Sequence, residues 1–159
     1  MKRKNKAKGI ATAAIIASLY VILTYISYAF GLSSGAIQIR LSEALTILPV
    51  FTPYAIPGVF IGCLLSNILT GCAFWDVLFG SLATLIGTAF TYALRKGRFA
   101  PYFPPILVNT LIIPLILKTV YSLDGTVIYF ILTVFIGEFV SCGILGYLLR
   151  KALEKHKLF

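Results

Sequence analysis

Four stretches of this chain, residues 10–30, 74–94, 102–121 and 126–149, are apolar runs of about twenty residues or more. Each is bounded by glycine, proline or charge. A helix needs about 20 apolar residues at about 1.5 Å each to cross a bilayer, so each run has the length of a span. Only 12% of the 159 residues are charged, against roughly 25% in an ordinary soluble domain. These features predict an all-α integral membrane protein, one bundle over residues 1–159.

The stretch 41–70 is too long for one upright helix and short for two. Pro49, Pro53 and Pro57 interrupt it, and each removes a backbone donor that a continuous helix would use. Charge decides how often it crosses. Twelve of the fourteen basic residues fall in three clusters, Lys2–Lys8, Arg95–Arg98 and Arg150–Lys157, and basic clusters flanking spans mark the cytoplasmic side. All three share a side only if 41–70 crosses twice. The expectation is therefore six transmembrane helices, at about 10–30, 41–54, 55–70, 74–94, 102–121 and 126–149. Helices 2 and 3 are short and proline-interrupted, both termini are cytoplasmic, and the protein lies in the cell membrane as a multi-pass bundle. The basic start and first apolar run resemble a secretory signal, but the run is long and has no small-x-small exit, so a retained first span is expected.

The clustering also explains the net charge of +9 through lipid head groups, with no nucleic-acid partner. Cys63, Cys72 and Cys142 show no paired spacing, and the single His156 lies in the basic tail, so neither a disulfide framework nor a metal site is implied. No nucleophile–base pair, phosphate-cradling glycine loop or HExxH pattern is present. The expectation is a non-enzyme without cofactor that holds a small polar solute.

Glu138 lies about twelve residues into the last span, near mid-membrane by helix rise. An ionisable side chain there costs at least about 2.5 kcal/mol unless paired or wetted. Ser141 and Cys142, three and four positions on, continue a polar stripe. Asn67 and Asn109 put amides into apolar segments, where they either hold helices together or read a planar ligand edge. Asp76 follows Trp75 at the start of the fourth span, which suits a helix cap or dipole partner as well as ligand binding. Trp75 suits an interfacial anchor or a stacking face. Small residues recur every four positions at Gly58, Gly62, Ser66 and Thr70 and at Gly80, Thr84 and Thr88, faces on which helices approach closely. Ala13 and Ala17 form a similar stripe on the first span, which by composition favours internal packing.

Arg40 and Glu43 place two full charges at the start of the second segment. The topology puts them at the outer face, at shallow depth, where they suit an exposed ion pair worth a few tenths of a kcal/mol.

The segment IQIRLSEALTILPVFTPYAIPGVFIGCLLSNILTG (37–71), followed by WDVLFGSLATLIGT (75–88), resembles the queuosine-precursor transporter (QueT) family, whose members are substrate-binding S components of energy-coupling factor (ECF) transporters. The resemblance implies a subunit that takes up a 7-deazaguanine precursor, of the nitrile (preQ0) or aminomethyl (preQ1) type. It implies as partners a transmembrane coupling protein and two ABC-type ATPases. It also raises Ala13 and Ala17 from packing residues to a coupling-protein interface. Substrate-binding candidates are then Glu138 for the paired N–H donors of the base, Asn109 or Asn67 for its carbonyl, and Glu43 or Asp76 for an aminomethyl cation. Arg40 is an alternative partner for the carbonyl, and Trp75 and Tyr121 offer stacking faces. Alternatives from other classes are an S component for a different vitamin, a self-contained secondary transporter or channel, and a purely structural protein in which the polar groups only pack helices.

Overall fold

A computed structural model describes residues 2–33, 37–122 and 124–156, with side chains from Lys6 onward. Residues 34–36 of the first loop, residue 123 and residues 157–159 of the basic tail lie outside the described residues, so the expectations that touch them cannot be placed. The described residues form helices α1 (Lys2–Ala29), α2 (Ala55–Leu69), α3 (Phe74–Ala93) and α4 (Phe103–Thr119). They continue into α5 (Val127–Glu138), a π-helical segment (Phe139–Leu145) and α6 (Gly146–His156). Between α1 and α2 runs a 3₁₀ helix, Leu41–Val50, and a short 3₁₀ turn, Ala100–Tyr102, precedes α4.

Among the described residues, four stretches are long and apolar enough to cross a membrane: Lys6–Ala29, Phe74–Ala93, Ala100–Thr119 and Val127–His156. The last is α5, the π segment and α6 in continuous helical conformation. Leu41–Val50 and Ala55–Leu69 are the shorter pair. The first helix begins at Lys2 instead of about residue 10 because the basic cluster joins it.

The bundle mixes many polar side chains with apolar ones inside and is apolar outside. Leu111, Ile128, Leu132 and Phe90 are exposed, whereas Ser42, Thr46, Ser66, Asn67, Thr84, Thr88, Asn109 and Ser141 are buried. That arrangement suits a molecule surrounded by hydrocarbon, where each interior polar group must find its partner within the protein. Several hydroxyls do so through the preceding turn: Ser81, Thr84 and Thr88 donate to the Val77, Gly80 and Thr84 carbonyls at 2.6, 3.0 and 2.7 Å.

Glycine sets the close helix contacts. A Cβ on Gly58 would sit 2.7 Å from the Ala13 carbonyl oxygen, and one on Gly62 would sit 3.0 Å from that of Ala17. The four-residue stripe of α2 thus meets the alanine stripe of α1 backbone to backbone. At one end of the bundle the Arg150 guanidinium donates to the Gly97 and Arg98 carbonyls at 3.4 and 3.3 Å, uniting two of the basic clusters. At the other, the Tyr25 hydroxyl donates to the Leu69 carbonyl at 3.2 Å.

The second predicted helix is corrected in kind and in length. It is a 3₁₀ helix ending at Val50, followed by a turn, instead of an α-helix to residue 54. Pro49 has no N–H to give, and in an α-turn its ring would crowd the Leu45 carbonyl. Ten residues at about 2.0 Å rise reach about 20 Å, against about 15 Å for an α-helix, so the tighter winding carries the chain deeper. Its three-residue repeat presents three rows. Leu45 and Leu48 join Ile16, Tyr20, Val59 and Cys63 in the core between α1 and α2. Glu43 and Thr46 face Cys142, and Ala44 and Ile47 lie beside Gly146 of α6. Residues 42–49 are accordingly all buried.

Candidate functional site

The start of the 3₁₀ helix is held by side chains from two other elements. The Arg40 N–H donates to Ser141 Oγ of the π segment at 3.1 Å, and the Leu41 N–H donates to Ser27 Oγ of α1 at 2.9 Å. Thr24 Oγ1 donates to Ser42 Oγ at 2.8 Å. Orphan donors of a helix start are thereby satisfied without a local cap. Upstream, Gln38–Arg40 runs beside α5 so closely that a Cβ on Gly137 would meet the Gln38 carbonyl oxygen at 2.2 Å. Only glycine leaves room for that backbone.

This arrangement carries Glu43 to Glu138. Two carboxylate oxygens, one from each residue, and Cys142 Sγ lie within 4.8 Å of one another. Tyr20 of α1 donates its hydroxyl to Glu43 Oε1. Cys142 donates its thiol to Glu138 Oε2 at 3.2 Å and lies 4.0 Å from Glu43 Oε2. Asn109 of α4 lines the same cavity as Glu138. Around these groups is a cavity of about 30 Å³, lined by Gln38, Arg40, Glu43, Cys63, Gly80, Thr84, Asn109 and Glu138 with Ile113 and Val134. Such a volume holds about one water. Glu43, Glu138 and Cys142 have the donor types to ligate a cation. Here their lone pairs take protein donors and Arg40 lines the same cavity, an arrangement better suited to a hydrogen-bonding organic solute.

Two expectations for the opening charges are overturned. Glu43 is not a shallow residue at the mouth: it is 2% exposed and shares the depth of Glu138. Nor does it pair with Arg40; among the described residues the ion pair formed is Arg150–Glu154, at 2.8 Å. The cause is the 3₁₀ segment, which descends into the bundle where an interfacial helix start was expected.

Asn67 is buried but lies outside the lining of this cavity. Its Nδ2 donates to Cys63 Sγ at 3.6 Å, and Thr84 Oγ1 lies 3.4 Å from the same sulfur. A Cβ on Gly80 would lie 3.4 Å from Asn67 Nδ2 and 3.5 Å from Asp76 Oδ1, so both residues lie beside that cavity-lining glycine. Asp76 does not cap α3: the N-cap is Ala73, without a side-chain cap bond. Instead Asp76 Oδ2 accepts from the Tyr121 hydroxyl at 3.0 Å, and the Tyr121 oxygen accepts from the Ala73 N–H at 3.1 Å. Partial burial pushes the Tyr121 phenol up to about 12, which keeps it a donor at neutral pH. Tyr121 thus latches the turn after α4 to the start of α3.

Trp75 is half exposed, stacks on Phe79 at 5.8 Å and faces an apolar groove with Ile112, Leu115 and Ile116, away from the carboxylates. Ala13 and Ala17 lie in the α1–α2 seam and also line an apolar groove with Ala14, Ser18, Tyr54 and Ile61. Tyr20, Cys63, Thr84 and Gln38 went unrecognised in the sequence. A signal existed for Tyr20, which lies as far into the first apolar run as Glu138 does into the last.

Over 84 residues the chain is 43% identical to the queuosine precursor transporter QueT of Lactococcus lactis subsp. cremoris (strain MG1363), an alignment covering 53% of this chain and about half, 49%, of that relative. No solved structure matches. The sequence pattern of the QueT transporter family matches residues 10–155, which include every residue named above as lining the carboxylate cavity, and the chain belongs to that family.

Proposed function

We propose that this protein is the solute-binding subunit of an ECF transporter and imports a 7-deazaguanine precursor of queuosine across the cell membrane, with both termini cytoplasmic. The observation that carries the reading is the meeting of buried Glu43 and Asn109 with half-buried Glu138 in one cavity edged by Arg40. Family membership and the transporter named in Lactococcus lactis support the solute class. A deazaguanine base presents two adjacent N–H donors and a carbonyl acceptor. Glu138 accepts the paired donors, while Asn109 or Arg40 donates to the carbonyl. Glu43, beside Glu138, takes a further donor, including the ammonium of an aminomethyl form. Asn67, Asp76 and Tyr121 support the walls. Movement of solute is then driven by a membrane coupling protein and two ABC-type ATPases, for which the alanine stripe around Ala13 and Ala17 is the docking candidate.

Ligand sites usually enclose about 300–1,000 Å³, so a cavity of about 30 Å³ has to widen for a bicyclic base. Isothermal titration of the purified protein with the aminomethyl and nitrile deazaguanines, guanine and thiamine tests the reading. A deazaguanine binds, thiamine does not, and Glu138→Gln weakens binding at least tenfold. Unchanged affinity in both Glu138→Gln and Asn109→Ala refutes the arrangement. Uptake by cells lacking the ATPases refutes the ECF assignment and favours a self-contained transporter.

A further inference from the structure

A second cavity adjoins the first. It measures about 100 Å³ and is lined by Thr24, Tyr28, Ser33, Asn67, Thr70 and Cys72, together with Arg40. No carboxylate is among these residues; they offer hydroxyls, an amide, a thiol and one guanidinium. The two cavities differ in closure. The inner one has Glu43, Cys63, Thr84 and Asn109 on its walls, each no more than 4% exposed, with half-buried Gln38, Ile113, Val134 and Glu138 beside them. The outer one has Tyr28, 60% exposed, on its rim, and so opens to the surroundings. Among the described residues, Arg40 is the one that lines both. Its backbone is fixed by Ser141, but among the described residues no carboxylate comes within ion-pair distance of its guanidinium. Ser33 Oγ in the outer chamber is a buried atom without a hydrogen-bond partner among the described residues, which leaves the chamber polar capacity for a solute.

We infer that the outer chamber is the access route to the carboxylate cavity and a transit subsite for a polar, carbonyl-bearing solute, and that the Arg40 side chain is the partition between the two. A solute reaching the chamber meets donors first: the guanidinium, the Asn67 amide and the Ser33 hydroxyl all suit an acceptor such as a base carbonyl. Passage inward requires Arg40 to swing aside, and the same guanidinium then closes behind the solute. The polar lining makes the route hydrophilic, as a solute too polar for the lipid-facing surface requires.

Two native thiols report on the route, since Cys72 lines the outer chamber and Cys63 the inner cavity. The full chain in detergent is treated with a small cationic methanethiosulfonate, and adducts are quantified per cysteine by peptide mass spectrometry. Cys72 is expected to react at least tenfold faster than Cys63. Arg40→Ala should raise the Cys63 rate at least tenfold and leave the Cys72 rate unchanged, which also shows that the chamber is intact. On the unmutated chain, prior blocking of Cys72 with a bulky maleimide should slow Cys63 at least tenfold. A Cys63 rate indifferent to both Arg40→Ala and the maleimide overturns the inference and places access elsewhere, such as between Ile113 and Val134. The ligand arm alone rests on the function proposed above: saturating aminomethyl deazaguanine should protect Cys63. Absence of protection, with the Arg40 and maleimide effects present, refutes the inner cavity as the ligand site and leaves the route standing.

Discussion

Gly137→Ala tests how the carboxylate site is assembled, because the position of Glu43 depends on the chain passing tightly over α5. An added Cβ would lie 2.2 Å from the Gln38 carbonyl oxygen, whereas a comfortable carbon–oxygen contact is about 3.3 Å. The obstacle is backbone, so the Gln38–Arg40 segment must retreat by about 1 Å. That displacement stretches the Arg40 N–H to Ser141 Oγ bond, now 3.1 Å, beyond hydrogen-bonding range. Overpacking of this kind costs about 1–3 kcal/mol and the lost bond about 0.5–1.5 kcal/mol, offset by the about 0.5–1 kcal/mol that alanine gains over glycine in a helix. The net loss is about 2 kcal/mol, which in a chain of this size lowers the melting temperature by about 4–8 °C. Gly143, six residues on, is the internal control: its nearest neighbour to an added Cβ is Phe139 Cδ2 at 3.6 Å, an ordinary contact. Gly143→Ala should therefore be neutral or slightly stabilising, within about 1 kcal/mol. Thermal unfolding in detergent, followed by circular dichroism, measures both. Equal melting temperatures for Gly137→Ala and the unmutated chain, or an equal drop for Gly143→Ala, would refute the close passage of Gln38 over α5.

Three further outcomes follow from named contacts. Tyr20→Phe deprives the buried Glu43 of its donor and should destabilise by about 1–3 kcal/mol; in a double-mutant cycle with Glu43→Gln the two should couple by at least about 0.5 kcal/mol, while additivity would deny the bond. Ser27→Ala removes the acceptor for the Leu41 N–H and should cost about 1 kcal/mol, as loss of a helix-start cap does, read from the same melts. Trp75→Phe should leave deazaguanine affinity within twofold by titration, since the indole faces an apolar groove away from the carboxylates; a tenfold loss would return Trp75 to the site.

Much of the bundle is legible in sequence because the span signal is long and redundant. Twenty apolar residues between a basic cluster and a glycine have few alternatives, and the Gly58–Gly62 and Ala13–Ala17 spacings already carry the seam that α1 and α2 form. Asn109 and Glu138, both polar residues stranded in apolar runs, stand out by similar logic, and they line one cavity. Glu43 was misplaced for a different reason. Depth estimated from sequence assumes α-helical rise and a start at the interface, and Leu41–Val50 obeys neither. Its capping hydroxyls come from Ser27 and Ser141, which lie 14 and 101 residues away from the residues they hold. No local pattern contains that information. Tyr20 escaped because a tyrosine in an apolar run reads as hydrophobic until a buried carboxylate is found opposite its hydroxyl.

The site is made where the backbone leaves α-geometry. Arg40 is extended, Glu43 is 3₁₀, and Ser141 and Cys142 are in a π-helical turn that begins at the residue after Glu138. Each departure disturbs the regular ladder of main-chain bonds, and in a membrane interior water is not at hand to repair it. Here the repair comes from side chains of the neighbouring elements, Ser141 for the Arg40 N–H and Ser27 for the Leu41 N–H, and Cys142 Sγ lies 3.5 Å from the Glu43 carbonyl oxygen. Those hydroxyls and that thiol also draw α1, the 3₁₀ helix and the π segment to one point, where the carboxylates meet. A change that straightened the π turn into α-helix would rotate Ser141 and Cys142 away from Arg40 and Glu43 together. The polar partners therefore serve fold and site at once: a mutation that releases the backbone at Ser141 also releases the wall of the cavity.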